Sequence, residues 1–376
     1  LNLLASDAIE VDGQLILFAE KVNLLFSMNM STGSISLLGS IPEESVWASR
    51  LTCKLIYWER KIIIVPLMAK KIWIYSLESR KWTDVEFKNH AIDMSATYFR
   101  QAIIYYNSLF LIGGHYPAIL EMDLNSYKIS YIEAPFVCRR QYGSRSELYF
   151  RGDFACRGET LYFASGRDNS VLIFHLDTKE YEWIEVGGKL NRYSGIMWDG
   201  RHYWFSPRMN TPVVKWDGKD KVVEYEIPSE KRVDNISYLG VVRRGNQIVM
   251  PAVSGSGADT IVITENEEME FENATYVFYK NTEDGKYIAQ NSEGKVIYIN
   301  YGDKKKEFDC GITVAMFCSV LDSAQIDRED MRLQISKEND PFLLQEILKL
   351  WDKTYFRSIA EGWNIGGVIW ERIKRG

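Results

Sequence analysis

Three observations predict an all-β chain built from repeated four-stranded sheets. First, short apolar runs alternate in period two and are separated by turn residues, the pattern of antiparallel strands. The stretch 105–132, YYNSLFLIGGHYPAILEMDLNSYKISYI, shows it best. There an apolar run (109–112) ends in Gly113-Gly114, alternation resumes over 118–124, and a turn at Asn125-Ser126 leads to a last strand through Ile129 and Tyr131. Second, the block recurs. Residues 122–132 align with 28–38 at a shift of ninety-four, and half that shift reaches 62–66 and 75–85. Third, the recurrence continues forward through 161–166 and 174–184. The anchors Leu15, Ile62, Leu109, Leu161, His202, Ile248 and Tyr287 are 47, 47, 52, 41, 46 and 39 residues apart.

A period in the forties with about four short strands per unit is that of a β-propeller blade. A lone four-stranded sheet cannot bury two apolar faces, whereas blades stacked around an axis bury both. Seven blades are expected, with six as the alternative count. The repeats resemble those of kelch-like propellers. Gly113-Gly114 stands where that family has a diglycine after the second strand, Ser165-Gly166 is a half-match, and Trp82 and Trp183 stand for its late tryptophan. The resemblance covers roughly residues 1–310. The WD dipeptide of the other large propeller class occurs at Trp216-Asp217 without its Gly-His partner.

Each blade should run a, b, c, d from the axis outward. In the third blade these are 101–106, 109–112, 118–124 and a strand around 129–132. The fourth begins at 153–157, after an insertion over 134–148 that carries three arginines. Blades five and six hold 197–206, 213–216, 239–252 and 260–264, and the seventh holds 276–280, 286–290, 296–300 and 305–308. A strand at 312–317 is expected to help close the ring. The propeller thus takes residues 1–320. Residues 321–376 read as a charged linker and a short C-terminal helical appendage. Asp340-Pro341 opens a helix, and Phe342, Ile347, Leu348 and Trp351 form an apolar stripe expected to dock on the propeller.

Composition narrows the function. Aromatic residues make up 13%, which suits packing between twisted sheets, and the net charge of −6 gives no field for nucleic acid. The longest apolar run, 62–69, is too short to span a membrane. No secretory leader is expected from the first residues given. Five cysteines without a CxxC spacing suit a reducing compartment, so a cytoplasmic location is expected. Only four histidines occur and none pairs at ligand spacing, so no metal is expected. No nucleophile turn or phosphate loop is present, and no cofactor is expected.

Basic residues on one rim carry the remaining signal. The d–a and b–c loops of a propeller open on one face. Arg50, Arg100, Arg151 and Arg192 stand at or just before strand a, while the b–c loops add Lys70, Lys71, His115, Arg167 and Arg208. These residues are the candidate ligand-binding set, because guanidinium groups suit carboxylate or phosphate. The same arginines could instead pair with carboxylates of neighbouring blades. The expectation is a non-enzymatic scaffold that binds an acidic peptide, a carbohydrate or another small anion on this top face. The alternative is a propeller enzyme, an isomerase or lyase acting on an acidic sugar or similar anion at the channel mouth. Fold alone does not choose between them; a titratable base beside the arginines would favour the enzyme.

Overall fold

A computed structural model describes residues 3–46, 48–88, 97–114, 116, 118–133, 150, 152–234, 236–281, 287–299, 306–311 and 316. They form seven antiparallel sheets arranged as a propeller ring, so the count is seven rather than six. Blade 1 holds β1 (Ala5–Val11), β2 (Gln14–Ala19), β3 (Leu25–Asn29) and β4 (Ile35–Gly39). Blade 2 holds β5 (Thr52–Trp58), β6 (Lys61–Pro66), β7 (Ile72–Ser76) and β8 (Trp82–Val85). Blade 3 holds β9 (Phe99–Tyr105), β10 (Ser108–Gly113), β11 (Ala118–Asp123) and β12 (Ile129–Glu133). Blade 4 holds β13 (Ala155–Arg157), β14 (Thr160–Ala164), β15 (Ser170–His175) and β16 (Tyr181–Glu185). Blade 5 holds β17 (Tyr193–Trp198), β18 (Tyr203–Pro207), β19 (Val213–Trp216) and β20 (Val222–Tyr225). Blade 6 pairs β21 (Val242–Arg244), β22 (Gln247–Met250), β24 (Thr260–Ile263) and β25 (Met269–Glu272). Between them β23 (Ala252–Val253) leaves its own blade and pairs in parallel with β26 (Thr275–Asn281) of blade 7. Blade 7 continues with β27 (Tyr287–Asn291), β28 (Lys295–Ile299) and β29 (Lys306–Asp309).

The core is divided into seven layers, one at each junction between blades. Period-two alternation builds them directly. In β6, Ile62 and Ile64 pack with Phe18 and Leu25 of blade 1, while Ile63 and Val65 pack with Leu109 and Leu111 of blade 3. Each such side chain is fully buried, which contributes about 1.5–3 kcal/mol apiece by removal from water. A strand b that is apolar on both faces is therefore the sequence mark of a blade whose two neighbours are in place. Trp82 packs edge-on to Trp73 and against Tyr75, and Trp183 stacks on Phe150, so both tryptophans cover outer junctions.

Among the described residues, blades 7 and 1 are joined by one backbone bond and by a side-chain clamp. Leu3 N donates to Cys310 O at 2.9 Å. The fully buried Gln290 amide accepts from Ala5 N (2.7 Å) and donates to Leu3 O (2.8 Å), joining blade 7 to blade 1. The expected closing strand over 312–317, apart from Met316, and the C-terminal helical appendage lie outside the described residues. Three inner strands start away from expectation, β9 by beginning at Phe99 rather than at 101. Strand β13 begins at Ala155 rather than at 153, because Asp153 O accepts from Ile196 N of blade 5 (3.2 Å) and so turns away from its own sheet. Strand β17 begins at Tyr193, four residues before the expected start, where Tyr193 N reaches Ser165 O (2.9 Å).

Candidate functional site

Most inner strands carry the same irregularity. In five of the seven a–b hairpins the ladder skips one residue of the inner strand: Ser6, Cys53, Arg100, Ser194 and Val277. A β-bulge of this kind re-aims the extra side chain out of the alternating pattern. Four of the five, Ser6, Cys53, Arg100 and Val277, line one cavity of about 270 Å3 at the axis. Its wall also includes Arg50 from the d–a loop entering blade 2 and Glu20 from a b–c loop. The two loop types thus meet at one mouth.

Arg50 is held at the rim by its backbone. It takes a left-handed φ of 56°, uncommon for a residue with a side chain, and its N–H donates to Glu20 O at 2.6 Å. Arg100 lies deeper. It is half-buried as a residue, but its Nε is shielded from solvent and has no hydrogen-bond partner among the described residues. Burial lowers its pKa to about 10, and the like charge of Arg50 adds to the effect. Burial pushes the Cys53 thiol the other way, up to about 12, so at neutral pH it is a neutral group donating weakly to Val65 O (3.6 Å) and not a thiolate.

Side chains from successive blades fix the wall. Asp7 of β1 accepts from Leu55 N of blade 2 (2.7 Å) and pairs with Lys280 of blade 7 (2.7 Å). Lys54 donates to the Gln101 carbonyl (3.1 Å) and stands 3.8 Å from Asp153. The Gln101 amide donates to Gly152 O (2.7 Å) and to Asp153 Oδ1 (3.2 Å). Asp153 lines the cavity, so a carboxylate oriented by Gln101 and Lys54 faces the same space as Arg100.

The basic rim divides accordingly. Arg50 and Arg100 come together in the cavity wall. Lys71 is committed elsewhere, to Glu43 (3.0 Å), Asp84 (3.1 Å) and Glu86 (3.7 Å), and its pKa is raised chiefly by the first two. The Lys70 side chain is exposed, and its backbone N–H donates to Glu44 Oε1 (3.0 Å). Arg208 is buried between blades 4 and 5, where it donates to Gly166 O (2.7 Å). Arg192 O accepts from Arg208 N (3.0 Å), and Arg167 N donates to Ser165 Oγ (3.1 Å). Arg151 and His115 lie outside the described residues. Tyr193, the first residue of β17, is fully buried with its hydroxyl donating to Val186 O (2.5 Å), and burial raises its pKa. Sequence reasoning passed over Asp153, Gln101, Lys54 and Asp7. The shift of 47 that aligns Leu15, Ile62 and Leu109 also aligns Asp7, Lys54 and Gln101, and that is the signal that finds three of them.

No protein-family model and no curated protein sequence matches this chain. Solved structures do match its shape. A streptogramin B lyase superposes with a TM-score of 0.55 at 17% identity, covering 77% of this chain and 92% of the lyase. Virginiamycin B lyase of Staphylococcus aureus gives a TM-score of 0.55 at 13% identity, over 82% of this chain and 97% of the lyase. Its catalytically inactive variant with quinupristin gives 0.56 at 14%, over the same shares. At these identities the likeness shows a shared seven-bladed propeller fold. Against these structures, the expectation of a non-enzymatic scaffold is corrected. All three are structures of lyases, one of them a catalytically inactive variant, so the lean against catalysis is given up and the enzyme alternative is taken up as a proposal. The lack of a linear catalytic motif was a weak ground for that lean. A site assembled from one or two residues per blade has no local signature.

Proposed function

We propose that this chain is a propeller enzyme of the lyase class, acting at the axial cavity on a small substrate that carries a carboxylate. The observation that supports it is the cavity itself, where a shielded guanidinium without a hydrogen-bond partner at Nε shares a wall with an oriented carboxylate. A buried cation is costly unless an anion meets it. Arg100 and Arg50 would bind the substrate carboxylate and the negative charge that develops beside it. Asp153 would remove the proton from the carbon next to that carboxylate. The C–H electron pair becomes the new C=C bond, the bond to the leaving oxygen breaks, and that oxygen takes a proton from solvent. Lys54 and Gln101 would hold the Asp153 carboxylate aimed. The volume lies below the roughly 300–1,000 Å3 that buries a drug-sized ligand, which suits a small acid or the acidic end of a larger substrate. Uronic acid glycosides and acyloxy acids form the test panel.

The kelch-like character of the repeats belongs to the same proposal and rests on Gly113-Gly114, Trp82 and Trp183. A reducing compartment is proposed from the free thiols of Cys53, Cys156 and Cys310.

The test follows the ultraviolet absorbance of the conjugated acid product across the panel. Wild type should turn over at least one member. Asp153→Asn should lower kcat by about 10²–10⁴-fold with KM changed far less. Arg100→Ala should raise KM, because a charge-assisted hydrogen bond is worth about 1.5–3 kcal/mol. Binding without turnover by wild type across the panel would sink the proposal.

A further inference from the structure

The cavity is two-sided, and the division follows the blades. Blades 1 to 4 give it all of its charged lining, Glu20, Arg50, Arg100 and Asp153, beside Ser6 and the buried Ala5 and Leu67. Blades 6 and 7 give it Leu239, Val277 and the buried Phe278 and Tyr279. The bulge makes this contrast sharp. At equivalent ladder positions, Arg100 enters from blade 3 and Val277 from blade 7. Leu239 and Val277 are only half-buried, so apolar surface of both is left exposed in the structure. Leu239 is fixed by its backbone, its N–H donating to Pro251 O at 2.9 Å.

We propose that the substrate is a small monoanionic acid with an apolar substituent, its carboxylate on Arg100 and Arg50 and its apolar body against Leu239 and Val277. A polyhydroxylated sugar acid is the poorer fit. Such an acid would place hydroxyl groups against Leu239 and Val277, which offer no side-chain hydrogen bonds, and each would lose its water uncompensated. An aryl or alkyl group there is instead removed from water at a gain. Leu239 and Val277 are then specificity-determining residues. The inference rests on the reading of the cavity as an anion site.

The experiment is calorimetric titration of the full chain with three probes of graded chemistry: 3-phenylpropanoate, glucuronate and the uncharged 3-phenylpropanamide. The expected result is that 3-phenylpropanoate binds at least tenfold more tightly than glucuronate and than its own amide. Arg100→Gln should remove the preference for acid over amide. Val277→Thr, which keeps shape and β-branching, should cut the preference for phenylpropanoate over glucuronate severalfold and leave glucuronate binding unchanged. Glucuronate binding as tightly as phenylpropanoate, with both weakened by Arg100→Gln, would overturn this inference and leave the anion site standing. Affinities unmoved by Arg100→Gln, or binding of neither acid, would overturn both.

Discussion

The two sides of the propeller axis are held together by opposite means. On the side of blades 1 to 4, inner strands hold one another through side chains: Asp7 bridges blades 7, 1 and 2, Lys54 reaches Gln101, and Gln101 reaches blade 4. On the side of blades 4 to 6, the inner strands meet backbone to backbone at glycines. A Cβ on Gly152 would stand 2.0 Å from Ser194 O, and one on Gly195 would stand 3.1 Å from Gly240 Cα. Side chains keep the first side open and furnish a cavity, whereas their absence closes the second. The comparison teaches that the site is placed by where the ring can afford to stay apart. Blades 5 and 6 are joined further out instead, where Lys215 pairs with Glu267 and Tyr225 donates to the same carboxylate (2.7 Å).

The side-chain-linked half should be the more sensitive. Asp7→Ala leaves Lys280 without its carboxylate and Leu55 N–H without an acceptor. Removing one partner of a buried pair costs about 3–5 kcal/mol. The lower end is expected because Lys280 keeps some contact with solvent. Urea unfolding should show a loss of that size; an unchanged midpoint would mean the axial links are incidental. Gly152→Ala probes the closed half. Its methyl group meets backbone rather than a movable side chain, so overpacking should cost about 1–3 kcal/mol. A neutral result would show that blades 4 and 5 separate easily.

The smallest effect lies at the outer rim. Glu267 is held below its ordinary pKa of 4.5, first by Lys215 and then by Tyr225. A depressed carboxyl contributes stability that is present above the unfolded value and lost as pH falls through the folded one. Because Glu267 is half exposed, the contribution should not exceed about 1 kcal/mol. Wild type should therefore be slightly more stable than Glu267→Gln at neutral pH, and the two should converge as pH falls below 4.5. A gap that persists in acid would assign the effect to packing.

Much of the fold was legible because blades repeat their burial. The run of Ile62, Ile63, Ile64 and Val65 already states that both faces are covered, and the spacing of 47 places blades 1 to 3 in register. The bulge was not legible, since one unpaired residue changes no composition. Counting arginines back from each anchor grouped Arg50 with Arg100, yet the bulge pairs Arg100 with Cys53 and Ser6. Arg50 reaches the same cavity from a loop instead. The ion pairs of Lys71 were hidden for a different reason. Its partners come from a preceding loop and from beside strand d, separations that sequence order does not bring together.

The central claim is that the open side of the axis binds a carboxylate, and a crystal structure grown with 3-phenylpropanoate tests it most directly. The account predicts the carboxylate within hydrogen-bond distance of Arg100 and Arg50, with the ring against Leu239 and Val277. A carboxylate bound on the outer top face, at Lys70 or Arg167, with the axial cavity left to water, would contradict it.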